Sequence, residues 1–307
     1  MQKSKAAVIN DLSGLGRCSL VADITVLSAM GVQACPMPTA VLSAQTGFPA
    51  FSCLDMTGEL PAFIGKWKEL GTDFNGILTG YMTGEKQAKL VRSFIREFRT
   101  GHTTLLVDPV MADNGAGYSN FSPALCSELR AMAEQADIIT PNVTELYFLA
   151  GIPCSEQDLR NPDPARLADI ARSLSARQKQ IWIITGLASE KGIANLLVTE
   201  KLERLFTSPR HGKNFSGTGD LFAAVVFGGI LRGDKPEEAI RLAEHFLSAS
   251  AASAVRSGFA ANDGVDFESF LSMLAPESPK GCLPYTIKRS PDVLHCGKPY
   301  KDPPDSF

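Results

Sequence analysis

The sequence has little that would direct the chain to a membrane or to nucleic acid. No apolar run approaches the roughly 20 residues that a helix needs to cross a bilayer. The N-terminal segment reaches Asp11 before it can form the apolar region of a signal peptide. The formal net charge is only −3, which gives no bias toward polyanions. We therefore expect a cytoplasmic protein that binds neither nucleic acid nor membranes, with any phosphorylated ligand held at a local site.

Signatures of disulfide frameworks, zinc sites and two common nucleotide motifs are also missing. The seven cysteines are scattered without a C-x-x-C pair, and an odd, dispersed set predicts free thiols in a reducing compartment. The four histidines do not stand at zinc-ligand spacing from those cysteines. No G-x-x-x-x-G-K-[ST] loop occurs, and the segment SGLGR at 13–17 does not complete G-x-G-x-x-G. These absences argue against a structural zinc site, a P-loop and a Rossmann dinucleotide site.

What the chain does contain is a regular alternation of short apolar runs and amphipathic stretches. Helical segments lie between the apolar runs, for example at about 18–30 and at 84–99. This alternation predicts a parallel sheet with helices on both faces. The runs that we predict as strands are residues 6–11, 31–42, 74–81, 103–111, 136–142 and 180–186.

The pattern changes after residue 186. We expect an antiparallel pair at 194–200 and 203–209, followed by helices at about 221–231, 236–255 and 267–274. From residue 275 the chain is rich in proline and has no apolar periodicity, which is typical of an extended appendage. The sequence thus predicts one α/β domain over residues 1–274 and a proline-rich tail over 275–307.

Polar residues stand where the predicted strands end. In a parallel sheet of this kind, ligands bind beyond the carboxyl ends of the strands. Burial in a core does not require polar side chains at such positions, so we expect one site along this edge. The residues at the strand ends are Asp11, Ser13, Thr79, Tyr81, Asp108, Thr140, Asn142 and Thr185.

The sharpest motif is Ser-Gly-Thr-Gly-Asp at 216–220, immediately before the apolar segment LFAAVVFGGIL. Glycines before a helix let backbone N–H groups converge on an anion, and the helix dipole adds partial positive charge. Such a group would stabilise a phosphoryl group in transfer. Asp220 is placed to accept the proton of an attacking hydroxyl. The alternative is a tight turn in which Asp220 is only a favourable first-turn residue.

Two further segments place carboxylates after predicted strands, VDPVMAD at 107–113 and ITPNVTEL at 139–146. Asp108, Asp113 and Glu145 can hold Mg²⁺ through water, because that ion prefers oxygen ligands and keeps several waters. The alternative is that residues 113–115 form an ordinary turn, that Thr144 caps the next helix and that Glu145 lies in its first turn.

These motifs together resemble a known family. VINDLSGLG, TGYMTG, VDPVMAD, ADIITPNVTEL and FSGTGDLFAAVVFGG occur in the order seen in pyridoxal and pyridoxamine kinases of the ribokinase-like superfamily, over residues 6 to about 274. GTGD, DPVM and ITPN-x-x-EL together are specific to the vitamin-kinase branch. The resemblance implies a ribokinase-like three-layer α/β/α fold with a mostly parallel central sheet. It also implies a homodimer that uses ATP and Mg²⁺ to phosphorylate the hydroxymethyl group of pyridoxal, pyridoxine or pyridoxamine.

The resemblance also implies roles for individual residues. Asp220 is similar to the family's general base, and Gly217, Thr218 and Gly219 to its anion hole. Around the pyridine ring, Ser13 and Thr46 resemble hydrogen-bonding positions, and Tyr81 resembles an aromatic residue that packs nearby. The residues that resemble the magnesium and nucleotide groups are Asp108, Asp113, Thr140 and Glu145 around the metal and phosphates, Asn142 and Thr185 on the nucleotide side, and Tyr118 in the flap after the DPVM strand.

Two alternatives remain beside a B6 kinase. A hydroxymethylpyrimidine or hydroxymethylpyrimidine-phosphate kinase shares the catalytic motifs and differs in the ring pocket. The segment SAQTGFP departs from the B6-kinase pattern there, and Ala112 stands where the family often has glycine. A catalytically silent protein could instead bind a B6 vitamer as a sensor or carrier, although it would need neither the base nor the anion hole of residues 217–220.

Overall fold

Apolar runs form the strands of a central sheet in the computed structural model, which describes residues 4–190, 192–212 and 214–275. The strands are β1 (Lys5–Ser13), β2 (Gln33–Leu42), β3 (Cys53–Asp55), β4 (Gly76–Thr79), β5 (Thr104–Val107), β6 (Ala112–Asp113), β7 (Ala116–Gly117), β8 (Ile138–Ile139), β9 (Ile181–Ser189), β10 (Gly192–Val198) and β11 (Glu203–Ser208). Nine of them pair in the order β11-β10-β9-β8-β5-β4-β1-β2-β3, while β6 and β7 make a separate hairpin. Neighbours from β9 to β2 are parallel, and β3, β10 and β11 pair antiparallel with their neighbours.

Amphipathic and apolar segments between the strands form the helices. They are α1 (Ser19–Ala29), α2 (Leu60–Glu69), α3 (Glu85–Phe98), α4 (Pro123–Ala133), α5 (Val143–Ala150), α6 (Glu156–Arg160), α7 (Pro164–Leu174), α8 (Thr218–Arg232) and α9 (Pro236–Arg256), with 3-10 turns at Ala261–Asp263 and Glu268–Leu274. Several have the end signals that stabilise helices. Asn142 and Glu145 form a capping box at α5, and Gly233 ends α8 in the left-handed conformation that glycine adopts without strain.

The two faces of the sheet carry two separate apolar cores. Side chains alternate along β1, so that Ala7 and Ile9 pack in one core and Ala6 and Val8 in the other. The first core includes residues of α3, α4, α5 and α7, and the second includes residues of α1, α8 and α9. The sheet therefore lies between two helical layers, and the expected three-layer α/β/α fold with a mostly parallel sheet is confirmed.

Several predicted boundaries differ from the structure. The run predicted over 103–111 ends as a strand at Val107, where Pro109 cannot donate to a ladder. The run over 136–142 forms only the two residues of β8, and α8 begins at Thr218, earlier than expected, because Gly217 is its cap. The antiparallel pair near 194–209 is present as β10 and β11.

Residues up to Ala275 form one compact unit. The predicted tail over 275–307 lies outside the described residues except for Ala275, so the proposed boundary at residue 274 stays a prediction. Across the described ranges, every helix is too short or too polar to cross a bilayer.

Candidate active site

The carboxyl ends of β1, β4 and β5 lie at the edge of the sheet where α1 and α8 begin. Asp220 lies in the first turn of α8 and is hydrogen-bonded at both oxygens. Its Oδ2 accepts the backbone N–H of Ser19 at 2.9 Å, and its Oδ1 accepts the side-chain amide of Asn10 at 3.2 Å. Ser19 begins α1 with a φ of 53°, a left-handed conformation that is unusual for serine. Asp220 is thus held between two helix N-termini.

Burial is the main cause of a raised pKa at the Asp220 carboxyl. It raises the pKa of Asp220 to about 6; the Ser19 N–H opposes this rise and the charge of Asp11 adds to it. Burial also raises the pKa of Asp108 to about 8, with the charge of Asp220 as the next cause. Asp220 is therefore ionised near neutral pH, with a pKa close enough to accept a proton efficiently.

The glycine motif forms the cap of α8. Gly217 has a φ of 81°, and a Cβ there would lie 2.2 Å from the carbonyl oxygen of Arg17. Gly219 is exposed, and a Cβ there would meet nothing within 4 Å. The first N–H groups of a helix have no intrahelical acceptor, so this turn offers donors toward open space. The Thr218 hydroxyl instead donates to the Phe215 carbonyl at 3.3 Å and supports the loop.

Asn142 and Glu145 hold the loop that carries Asp113. The Asn142 Oδ1 accepts the Glu145 N–H, and its amide donates to the carbonyl of Ala112. Buried Glu145 accepts the N–H groups of Asn142 at 2.9 Å and Met111 at 3.2 Å. In the alternative considered above, the cap at Thr144 is wrong because Asn142 is the cap of α5, and the place of Glu145 in the first turn is confirmed. The Thr144 hydroxyl accepts the N–H of Gly115 and also supports the loop.

The predicted magnesium ligands do not form a ready-made metal cage. Asp113 is exposed and both of its oxygens accept hydrogen bonds from Asn114, which agrees with the turn that we considered as the alternative. Among the described residues, no group of three or more histidine, cysteine, aspartate or glutamate side chains is arranged to hold a metal ion. These residues fit an ion held mainly by phosphate and water, as Mg²⁺ usually is in phosphoryl-transfer sites.

The other predicted nucleotide residues lie along the same edge. Thr140 follows β8, and its buried hydroxyl has no hydrogen-bond partner among the described residues. Asn142 pairs with Thr185 of the neighbouring strand in an isolated parallel β-bridge. Burial raises the pKa of Tyr118, and the charges of Glu145, Asp113, Asp108 and Asp220 raise it further. Tyr118 and these four carboxyl groups therefore lie close enough together to affect one another's charge. Thr79, at the end of β4, has a buried hydroxyl without a hydrogen-bond partner among the described residues.

The predicted ring-binding residues occupy three different settings. Ser13 is buried and donates to Asp11 Oδ2 at 2.8 Å. Tyr81 is half-buried, and its pKa is raised to about 12 by burial and by nearby charges that include Asp11. Thr46 is exposed, and the neighbouring Gln45 ties its loop to the rest of the site. The Gln45 amide donates to Ser216 Oγ at 3.2 Å, just before the glycine motif.

Four residues of the site were not predicted from the sequence: Asn10, Ser19, Asp23 and Gln45. Asn10 stands beside Asp11 at the end of an apolar strand, so its position was a usable signal. Asp23 occupies a core position of α1, where an acidic residue needs a buried partner. Ser19 could not be found from sequence because its backbone N–H, a group that every residue except proline carries, makes the contact with Asp220.

Comparison with known proteins gives the family. A family model described as phosphomethylpyrimidine kinase matches residues 16–265. The pyridoxine/pyridoxal/pyridoxamine kinase of Bordetella avium is 28% identical over 234 residues, which cover 72% of this chain and 75% of that protein.

Two solved structures resemble the chain over most of its length. One is described as a candidate phosphomethylpyrimidine kinase from Bacteroides thetaiotaomicron, in a crystal form with pyridoxal; it is 35% identical, with a TM-score of 0.81 over 89% of this chain and 96% of that one. The pyridoxal kinase of Lactobacillus plantarum is 25% identical, with a TM-score of 0.82 over 89% and 97%. These matches confirm the resemblance to B6 kinases that the motifs indicated. Since the family model spans far more than half of the sequence, the chain belongs to the phosphomethylpyrimidine kinase family.

Proposed function

We propose that this chain is an ATP-dependent kinase that phosphorylates the hydroxymethyl group of a B6 vitamer, pyridoxal, pyridoxine or pyridoxamine, to the 5′-phosphate. The relatives named above support the substrate class and the reaction. The observation that carries the proposal is Asp220, held at both oxygens between two helix N-termini with a pKa of about 6.

In the proposed reaction, the substrate hydroxyl attacks the terminal phosphorus of ATP. The new O–P bond forms as the bond to the ADP oxygen breaks, and the hydroxyl proton passes to Asp220. The N–H groups of Gly217, Thr218 and Gly219 stabilise the charge on the transferring phosphoryl group. The open side of Gly219 leaves room for that group.

We propose that Mg²⁺ is bound by Asp108, Asp113 and Glu145. The nucleotide is proposed to be bound by Tyr118, Thr140, Asn142 and Thr185. Bound Mg²⁺ would neutralise part of the phosphate charge. The side chains of Asn142 and Glu145 cap α5 and bind the loop at 111–112, so both residues hold that loop. Glu145 would contact the ion through water. Ser13, Thr46 and Tyr81 are proposed to bind the vitamer ring.

A phosphomethylpyrimidine kinase is the second candidate, and the description of the matching family favours it. A substrate panel separates the candidates. ATP consumption is measured with Mg²⁺ and each of pyridoxal, pyridoxine, pyridoxamine, hydroxymethylpyrimidine and its phosphate. Turnover on a B6 vitamer supports the proposal, and turnover on the pyrimidines alone replaces the substrate. Binding of a vitamer without any turnover would identify a vitamer-binding protein.

The role of Asp220 is tested with Asp220→Asn, which keeps the shape of the side chain and loses the base. Loss of a general base lowers kcat on the order of 10²–10⁴-fold. The matched control is Asp163→Ala, which removes an exposed carboxylate at the N-terminus of α7, away from the site. Equal kcat in Asp220→Asn and the unaltered protein would refute the assignment.

We also propose a homodimer that forms through the β3 edge of the sheet. Leu12, Val41 and Leu54 stand in register across β1, β2 and β3, with exposed fractions of 37%, 38% and 63%. Such an apolar row is typical of a protein interface. The mass in solution, measured by light scattering, should be that of a dimer, and Leu54→Glu should give the monomer. A monomeric unaltered protein would refute the proposal.

A cytoplasmic location is proposed from the thiols. The cysteines in the described part of the chain are free: Cys18, Cys35, Cys53, Cys126 and Cys154. Free thiols persist in reducing compartments. Fractionation of cells that express the chain tests this, and recovery in an oxidising compartment would contradict it.

A further inference from the structure

A buried carboxamide joins Asp220 to a second carboxyl group that the proposed reaction does not use. The side-chain amide nitrogen of Asn10 donates to Asp220 Oδ1 at 3.2 Å and to Asp23 Oδ2 at 3.0 Å. Asn10 lies in β1 and is 3% exposed, while Asp23 lies in α1 and is 1% exposed. The two amide hydrogens of one side chain thus bind two carboxyl groups from two different helices.

The orientation of the Asn10 amide is fixed by its surroundings. Its Oδ1 accepts the backbone N–H groups of Asp11 at 3.0 Å and Tyr81 at 2.8 Å. Both neighbours are donors, so the oxygen must face them and the amide nitrogen must face the carboxyls. Gly80 packs against the amide so closely that a Cβ there would lie 2.5 Å from Asn10 Cγ. The amide therefore cannot turn without losing four hydrogen bonds.

Asp23 is a carboxyl group at a buried position of α1. It belongs to the inward face of α1, among apolar residues such as Leu20 and Leu27. A buried carboxyl costs free energy unless it is paired, and an apolar residue would fill this position at lower cost. Burial, and then the charge of Asp220, raises the pKa of Asp23 well above its usual value. A neutral Asp23 can bind the Asn10 amide without placing a second negative charge near Asp220.

We propose that Asn10 and Asp23 are positioning residues for Asp220. Asn10 fixes the orientation of the Asp220 carboxylate, and Asp23 fixes Asn10. The proposal rests on the role proposed above for Asp220. Among the described residues, the other ionisable groups whose charges interact with Asp220 are Asp11 from β1, Asp108 from the end of β5, Cys18 before α1 and Tyr118 after β7.

The test compares kcat and KM for the B6 vitamer and for ATP. Asn10→Ala removes a hydrogen bond to a charged group, so kcat should fall about 10- to 100-fold with little change in either KM. The acid limb of the kcat–pH profile should move to higher pH, since the lost bond favours the ionised form of Asp220. Asn75→Ala is the matched control: Asn75 accepts the backbone N–H of Lys5 at the opposite end of β1, and its loss should leave kcat and the pH profile unchanged.

Asp23 is tested with two variants. Asp23→Leu removes the acceptor but keeps the core filled, and should lower kcat as Asn10→Ala does. Asp23→Asn keeps an acceptor oxygen and should recover much of that loss. Adding Asn10→Ala to Asp23→Leu should lower kcat little further, because residues that act through one another are not additive.

The outcomes separate this inference from the one on which it rests. Full activity in Asp220→Asn would remove the role of Asp220 and this inference with it. An inactive Asp220→Asn beside a folded Asn10→Ala with unaltered kcat and pH profile would refute the positioning role alone. If Asn10→Ala does not fold, the test is the comparison of kcat between Asp23→Leu and Asp23→Asn. Equal kcat values in these two folded variants would overturn the proposal.

Discussion

Alanine at Gly219 should abolish turnover while leaving the fold intact. A Cβ at this position would meet nothing within 4 Å, and the residue lies in the first turn of α8 without a positive φ. Inside a helix, alanine is more stable than glycine by about 0.5–1 kcal/mol, so the free energy of unfolding should stay the same or rise. The new methyl group would occupy the space that we assign to the transferring phosphoryl group.

Alanine at Gly217 is the contrasting substitution. A left-handed conformation costs an ordinary residue roughly 1–2 kcal/mol. The Cβ would also lie 2.2 Å from the Arg17 carbonyl oxygen. Overpacking of this kind typically costs about 1–3 kcal/mol. Taken together, the free energy of unfolding should fall by about 2–5 kcal/mol.

The assay pairs urea unfolding with steady-state kinetics on both variants. We expect Gly219→Ala to unfold like the unaltered protein and to lose at least about 100-fold in kcat, as loss of a transition-state donor site does elsewhere. A Gly219→Ala variant with normal stability and normal kcat would refute the anion-binding role of this turn. A stable Gly217→Ala variant would instead refute the geometric reasoning about the cap.

Three further predictions concern pH, the ring-side loop and the loop at 111–112. Because Asp220 must be ionised to accept a proton, kcat should fall as the pH drops through about 6. Asp11→Asn removes a charge that raises the pKa of Asp220, so the acid limb of the kcat–pH profile should move to lower pH. An acid limb at the same pH in this variant would contradict the prediction. Gln45→Ala removes the tie to Ser216 and should raise KM for the vitamer more than KM for ATP, and an equal rise in both would assign Gln45 to general stability. Glu145→Ala leaves two backbone N–H groups unpaired and should lower the free energy of unfolding by about 1–3 kcal/mol in urea titrations, whereas an unchanged unfolding curve would show that water replaces this carboxylate.

The sequence was sufficient for the central parallel strands and for the glycine motif before α8, because both depend on local patterns. Apolar runs of β-branched residues located the central strands, and glycines before an apolar segment located the cap of α8. Helix α2 was not predicted, and it contains Pro61 and Gly65, two residue types that disfavour helix interiors. In the structure Pro61 lies in the first turn, where a missing N–H costs nothing.

The hydrogen bonds that shape the site could not be predicted, because they join residues far apart in the chain. Asn10 meets Asp220 across 210 positions, and Gln45 meets Ser216 across 171. No local pattern encodes such a pair. The roles of Asn142 and Glu145 show the converse limit: the motif located both residues, but only the structure shows that their side chains cap α5 and hold a loop.

The acidic side chains of the site give a reason to expect a bound cation, and this reason is independent of the family resemblance. Asp11, Asp108 and Asp220 are crowded at one edge of the sheet, and burial raises the pKa of each. The phosphates of ATP would add negative charge to an edge that already holds these three carboxyl groups. A divalent cation that arrives with the nucleotide would relieve this repulsion, so ATP affinity should fall steeply when Mg²⁺ is chelated, and Asp108→Asn should reduce that dependence. Equal ATP affinity with and without Mg²⁺ would refute the electrostatic argument.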